Sequence, residues 1–81
     1  MPAVFRYKGY RFFFFSNEGD PREPIHIHVR KGEARAKFWI NPAVAVAEAY
    51  RMDAAELREL ARVAEENRGL IERSWNEHFP E

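Results

Sequence analysis

Two alternating runs of residues on either side of a short turn most strongly constrain this fold. Residues 25–30 and 33–40 alternate apolar and polar side chains, and Lys31 and Gly32 lie between them. Residues two apart in a strand point to the same side of a sheet. A two-residue turn joins antiparallel strands most directly. The pattern therefore predicts a β-hairpin with Lys31 and Gly32 as its central turn residues.

Counting back from this turn predicts the partners of each residue and sorts the side chains onto two faces. Arg35 is expected opposite His28, and Lys37 opposite His26. One predicted face is apolar and suits a core, and it comprises Ile25, Ile27, Val29, Ala34, Ala36, Phe38 and Ile40. The other is a cationic, histidine-bearing platform, and it comprises His26, His28, Arg30, Glu33, Arg35, Lys37 and Trp39.

A second hairpin is predicted near the N-terminus. Residues 4–7 and 10–15 are strand-like and flank Lys8-Gly9. The expected cross-strand pairs are Tyr7 with Tyr10, Arg6 with Arg11, Phe5 with Phe12, and Val4 with Phe13. Four consecutive phenylalanines, residues 12–15, place apolar groups on both faces of the second strand. We therefore expect that strand to be central, covered by helices on one side and by a loop or a second copy of the chain on the other.

The C-terminal half has helical signals. Residues 44–47 alternate valine and alanine, and the segment of residues 44–49 predicts a short fifth strand, with a helical turn as the alternative. Asp53 and Glu56 have the spacing of a capping box, and apolar residues then recur at helical spacing, with Asn67 as a candidate cap for a second helix. The expectation is a single α+β domain over residues 1–81. Residues 1–50 form an antiparallel sheet of four to five strands with two tight hairpins, and two C-terminal helices within residues 53–79 pack on one face.

Charge and composition narrow the classes of function. Residues 1–40 carry eight Lys/Arg and four Asp/Glu, a net +4, whereas residues 41–81 carry five and nine, a net −4. The predicted sheet is thus the basic half, which favours anionic partners. The absence of cysteine excludes disulfides and thiolate metal sites. Since no apolar run approaches the ~20 residues of a membrane helix and no signal-peptide pattern begins the chain, we expect a cytoplasmic protein without membrane contact.

The histidine-bearing platform suggests RNA binding, with cleavage left open. His26 and His28 have the residue type of a general acid and base, and Glu18 has that of an orienting group or alternative base. Arg11, Arg35 and Lys37 are candidates to hold phosphate, and Trp39 offers a stacking surface for a base. This chemistry needs neither a metal ion nor another cofactor.

Three other interpretations fit the same residues. Both imidazoles with Glu18 or Asp20 would make a metal-dependent hydrolase, although Arg35 and Lys37 would repel the cation. The platform would also suit a non-enzymatic module that docks a partner protein. Finally, both rings would be structural if the loop of residues 16–24 covered them and supplied their hydrogen bonds.

Several short motifs also carry a family resemblance. They are Tyr10-Arg11-Phe12-Phe13-Phe14, Ser16-Asn17-Glu18, residues 24–29, Lys37-Phe38-Trp39, and the segment from Glu66-Asn67 to Phe79. With these motifs the chain resembles a family catalogued as a domain of unknown function, number 4160. One difference is that Ile25 separates Pro24 from His26, where the family has proline directly before the histidine. The resemblance implies a small bacterial protein encoded beside a small partner protein, as in a toxin–antitoxin pair, and it implies no catalytic residues.

Overall fold

The structure is a computed structural model, and it describes residues 3–16 and 23–80. Within these residues the chain forms five strands followed by two helices. The strands are β1 (Ala3–Tyr7), β2 (Tyr10–Phe13), β3 (His26–Lys31), β4 (Ala34–Trp39) and β5 (Ala45–Tyr50). The helices are α1 (Ala54–Glu66) and α2 (Arg68–His78). This α+β order, with five strands, confirms the predicted fold class.

The five strands form one antiparallel sheet in sequence order, so each strand pairs with the next along the chain. In the first hairpin both turn residues have positive φ, 47° at Lys8 and 83° at Gly9, as a type I′ turn requires. The predicted pairing of Arg6 with Arg11 is confirmed, as are the two pairs beside it. The predicted pairing of Val4 with Phe13 is wrong, because the register shifts there and Ala3 takes that place.

The second hairpin turns one residue later than predicted. Lys31 pairs with Ala34 inside the sheet, so Gly32 and Glu33 are the central turn residues. Gly32 has a φ of 59° and Glu33 has no positive φ, a pattern that places glycine first, as in a type II′ turn. The predicted pairings of His28 with Arg35 and of His26 with Lys37 are therefore wrong.

The corrected partners are Lys37 for His28 and Trp39 for His26. Each predicted partner moves by two residues, and two residues are one full repeat of a strand. The side chains consequently keep their predicted faces even though their neighbours change.

The helices cover one face of the sheet and form the core with it. Side chains from β2, β3 and β4 meet those of both helices, and the largest buried members are Phe12, Ile27, Phe38, Ile40, Leu60, Ile71 and Trp75. Burial of one such side chain contributes about 1.5–3 kcal/mol relative to its exposure. None of the helices in the described part of the chain is long and apolar enough to span a membrane.

Hydrogen bonds fix both ends of α1. The Asp53 carboxylate accepts a hydrogen bond from the Glu56 backbone N–H at 2.7 Å, and the Glu56 carboxylate accepts one from the Asp53 N–H at 3.3 Å, which confirms the predicted capping box. Asn67 ends α1 because its side-chain amide donates to the Val63 carbonyl at 2.9 Å. Asn67 is also the N-cap residue of α2, as predicted, and its backbone carbonyl accepts a hydrogen bond from the Ile71 N–H at 2.9 Å, while its side chain makes no capping hydrogen bond to that helix.

Candidate nucleic-acid interface

Cross-strand pairing sets four arginines side by side on the sheet face opposite the helices. Arg6 pairs with Arg11, Arg11 with Arg30, and Arg30 with Arg35. We call these four residues the arginine row. Tyr50 of β5 lies opposite Arg35 and ends the row. Like charges directly opposite one another destabilise a sheet unless another group compensates them.

No carboxylate forms an ion pair with the row among residues 3–16 and 23–80, although Glu48 lies on the same face, opposite Lys37. The ion pairs of these residues involve Lys8, Arg51, Arg62 and Arg68, and none involves the row. Aromatic rings support two of its members instead. The Arg11 guanidinium lies 4.6 Å from the centre of the Phe13 ring, and that of Arg35 lies 4.5 Å from the centre of the Tyr50 ring. The rings hold the guanidiniums in place but leave their positive charge available to an anion.

A groove of about 420 Å³ lies beside the arginine row. Its polar and aromatic walls comprise Phe13, Phe15, His28, Arg30, Arg35, Lys37, Glu48 and Tyr50, among them three Arg/Lys side chains and one carboxylate. Phe15 and Tyr50 are exposed large apolar residues, at 45% and 44%. Its size lies within the usual range for small-ligand sites, and aromatic walls with a few cations suit a nucleobase and its phosphate. We call this feature the central groove.

The two histidines differ in accessibility although their ring centres are 5.2 Å apart. His26 is fully buried, and its Nδ1 lies 2.9 Å from the Pro24 carbonyl oxygen. Because a carbonyl can only accept, His26 donates this hydrogen bond. The ring also packs against Trp75 of α2, with 5.0 Å between ring centres. The surroundings of His26 are those of a structural residue.

His28 is half-buried and lines the central groove. Its ring stacks on Phe13 at 5.7 Å and meets Phe15 edge to face at 4.5 Å, and Lys37 lies opposite it in the sheet. The Lys37 ammonium in turn lies 4.5 Å from the centre of the Trp39 ring. His28 is therefore the histidine that a bound molecule in the groove would touch.

The structure brings most of the predicted site residues onto one face. Arg11, His28, Arg35, Lys37 and Trp39 lie on that face as expected. His26 is enclosed, and the predicted Glu18 lies outside the described residues. Further members of the site were not selected from the sequence, namely Arg6, Arg30, Phe13, Phe15 and Tyr50. Alternation alone places Arg30 on this face, whereas Arg6 and Tyr50 join it only through strand pairing.

The groups of the sheet whose pKa values are shifted lie on the face that packs against the helices. A hydrogen bond to Glu56, with burial, raises the pKa of Tyr10 to about 12. The hydrogen bond from Tyr7 and the charge of Lys8 lower the pKa of Glu59, and Glu59 raises the pKa of Lys8. These groups tie the first hairpin to α1. Their shifts follow from structural contacts rather than from the site.

Metal ligands do not cluster in the described part of the chain. No group of three or more histidine, aspartate or glutamate side chains there could hold a metal ion. Two of the candidate ligands from the sequence, Glu18 and Asp20, lie outside the described residues. The chemistry of the described face is that of an anion site, since arginine and lysine dominate it.

Comparison with known families agrees with the sequence motifs. Residues 9–76 match the family described as Domain of unknown function (DUF4160). The chain belongs to this family. The match includes the central groove and every member of the arginine row except Arg6. No curated protein and no solved structure matches the chain.

Proposed function

We propose that this protein binds single-stranded RNA on its open sheet face. The arginine row holds successive phosphates, and the central groove holds a base between its aromatic side chains. The observation that carries the proposal is the row itself, in which four adjacent arginines have no carboxylate partner among the described residues. An RNA backbone supplies the missing negative charge.

The neighbouring aromatics favour a single strand over a duplex. A base can stack on an aromatic ring only when it is not paired and buried in a helix, and such stacking contributes about 1–3 kcal/mol per base. Phe15 and Tyr50 are the exposed rings of the face. The cations between them supply the attraction to the backbone that depends on salt.

Cleavage of the bound RNA is a second candidate, and the position of His28 favours it. His28 lies in the groove opposite Lys37. An imidazole can take the proton of a ribose 2′-hydroxyl, whose oxygen then attacks the adjacent phosphorus and breaks its bond to the 5′-oxygen of the next nucleotide. The imidazolium can return the proton to that 5′-oxygen, while an ammonium stabilises the negative charge on the phosphoryl oxygens. His26 is enclosed, so in this scheme it supports His28 and does not touch the substrate.

We extend the proposal to a cellular role on the ground of what the sequence resemblance implies. We propose that the protein is the toxin-like component of a two-gene module, acting in the cytoplasm on RNA and restrained by a small partner protein encoded nearby. Expression of the chain alone in bacteria should then slow growth, and co-expression of the neighbouring gene product should restore it. Growth that is unaffected by high expression of the folded chain would contradict this role.

Fluorescence anisotropy with a labelled single-stranded RNA of twelve nucleotides tests binding. Arg35→Gln and Lys37→Gln should each lower affinity about fivefold to twentyfold. Each should also reduce the slope of log affinity against log salt by about 0.7. Arg58→Gln is the matched control, since Arg58 is an exposed arginine of α1. The proposal fails if the protein shows no salt-dependent RNA binding, or if the control variant binds as poorly as Arg35→Gln.

Incubation of the same RNA with purified protein and a chelator tests cleavage. His28→Ala should abolish any metal-independent cleavage, whereas Arg58→Gln should retain it. Intact RNA after prolonged incubation with the unmodified protein would refute cleavage and leave the binding proposal standing.

A further inference from the structure

Both hairpin turns lie at the same end of the sheet. The pairing of Arg11 with Arg30 brings the turn at Lys8-Gly9 next to the turn at Gly32-Glu33. A pocket of about 340 Å³ opens between them. Its lining comprises Arg6, Gly9, Arg11, Arg30, Lys31 and Gly32, and we call it the turn-end pocket.

The turn-end pocket concentrates positive charge. Arg6, Arg11 and Arg30 of the arginine row line it, and no acidic residue does among the described residues. Lys31 also belongs to its lining, with its ammonium 4.8 Å from the centre of the Tyr10 ring. None of these four cations takes part in an ion pair within the residues that the structure describes. Three guanidiniums on one face around a small volume repel one another, and an anion of high charge relieves that repulsion most effectively.

Arg11, one of the lining residues, adds a second argument. The Nε atom of Arg11 is buried, and it has no hydrogen-bond partner within the described chain. A buried guanidinium donor without an acceptor is costly. Phosphate oxygens are the acceptors that guanidinium groups match best in charge and geometry.

Glycine shapes the walls of the pocket. A Cβ atom at Gly9 would lie 3.3 Å from Cε of Lys31, closer than most real contacts of this kind, and Gly32 has open space around it. The two glycines thus leave room for the Lys31 side chain and for a ligand between the turns. The positive φ of each, 83° and 59°, explains why glycine stands at these positions.

The pocket also lies next to the central groove, because Arg30 lines both. Only the two hairpin turns lie beyond the pocket, so the pocket lies at one end of the basic surface that the arginine row and the central groove form. A phosphate that links two nucleotides carries one negative charge. A terminal phosphate monoester carries close to two at neutral pH and has three free oxygens.

We propose that the turn-end pocket binds a terminal phosphate monoester of RNA and so sets the position of the strand in the central groove. This inference rests on the proposed function. It assigns the substrate class, an RNA with a phosphorylated end, and it places the phosphorylated terminal nucleotide beside Phe13 and Tyr50.

Three RNAs of one sequence test the inference in the anisotropy assay. One carries a 5′-phosphate, one a 3′-phosphate, and one has hydroxyls at both ends. We expect one phosphorylated RNA to bind about fivefold to tenfold more tightly than the hydroxyl RNA, from one added charge near surface cations. This preference should grow between pH 5.5 and 7.5, because the second ionisation of a phosphate monoester lies near a pKa of about 6.

Two variants locate the effect. Arg6→Gln should bring the ratio of the two affinities close to one, because Arg6 lines the turn-end pocket and not the central groove. Lys37→Gln should lower the affinity for all three RNAs and keep the ratio, because Lys37 lines only the central groove. A ratio that survives Arg6→Gln would overturn the assignment to this pocket.

The remaining outcomes separate this inference from the proposed function. Equal binding of all three RNAs would overturn the terminal-phosphate site and leave RNA binding intact. Absence of binding to any of them would overturn both. If inorganic phosphate alone bound as tightly as phosphorylated RNA, the pocket would serve small phosphates and the inference would be wrong.

Discussion

The contrast between His26 and His28 makes a direct test of the site. His26 is fully buried between Trp39 and Trp75 and donates to the Pro24 carbonyl. His28 is half-buried and lines the groove. We predict that His26→Ala mainly lowers stability, whereas His28→Ala mainly lowers RNA binding.

The magnitude follows from burial and one hydrogen bond. Truncation of a large core side chain to alanine costs about 2–5 kcal/mol, and loss of a hydrogen bond costs about 1 kcal/mol. Because imidazole is smaller than the larger apolar side chains, we expect His26→Ala to lower the unfolding free energy by about 3 kcal/mol. A domain of 81 residues has about 4–12 kcal/mol in total, so this loss is severe. His28→Ala should cost about 1 kcal/mol, since part of its ring already contacts solvent.

Urea denaturation followed by tryptophan fluorescence measures both effects, because Trp75 is buried in the folded state. With a slope of about 1 kcal/mol/M, His26→Ala should move the midpoint down by about 3 M. Where both variants are folded, RNA affinity should fall for His28→Ala and stay near the unmodified value for His26→Ala. The reasoning is refuted if His26→Ala is as stable as the unmodified protein, or if it is stable but unable to bind RNA.

Three further predictions concern the frame that supports the site. Tyr10→Phe should lower the unfolding free energy by about 1 kcal/mol at pH 8. Folding raises the pKa of Tyr10 from 10.0 to about 12, so the stabilisation by its hydroxyl is present below pH 10 and is lost as pH rises toward 12. Urea denaturation of both proteins at several pH values measures this loss. Gly9→Ala should lower the unfolding free energy by about 1–2 kcal/mol, because φ is 83° there. Gly69→Ala within α2 should raise it by about 0.5–1 kcal/mol. If urea denaturation showed the same sign for both changes, the turn assignment would be contradicted. Asp53→Ala should lower stability by about 1 kcal/mol, because it removes the 2.7 Å hydrogen bond to the Glu56 N–H, and thermal melting by circular dichroism should show the loss.

The two hairpins show which parts of a sheet local sequence determines. The alternation of apolar and polar residues assigned side chains to the correct faces, because every second residue of a strand lies on the same face. The position of the turn could not be predicted from the Lys-Gly dipeptide alone. Lys8 and Gly9 are both central residues of the first turn, whereas in the second turn only Gly32 is central and Lys31 belongs to the strand. The observed register of the second hairpin sets Ile27 against Phe38 and leaves Glu33 in the turn. Pairing across the whole strand therefore outweighed the preference of the dipeptide.

The arginine row depends on contacts between distant parts of the chain. Arg6 and Arg11 belong to one hairpin, and Arg30 and Arg35 to another. Only the pairing of β2 with β3 joins them, and the long connection between these strands offers no turn from which to count. The burial of His26 is equally non-local, because Trp75 of α2 covers a ring that alternation alone would assign to the open face.

From the arginine row we also predict that part of the site lowers the stability of the folded protein. Each of the three adjacent like-charge pairs costs about 0.2–1 kcal/mol, so the row lowers the unfolding free energy by about 1–3 kcal/mol. Arg30 has arginine partners on both sides. Arg30→Gln should therefore raise the melting temperature of the free protein by a few degrees and remove most of the stabilisation by added RNA. Arg58→Gln should change neither quantity appreciably. A lower melting temperature for Arg30→Gln without RNA would show that the row is compensated within the fold, and the electrostatic argument for an anionic ligand would fail.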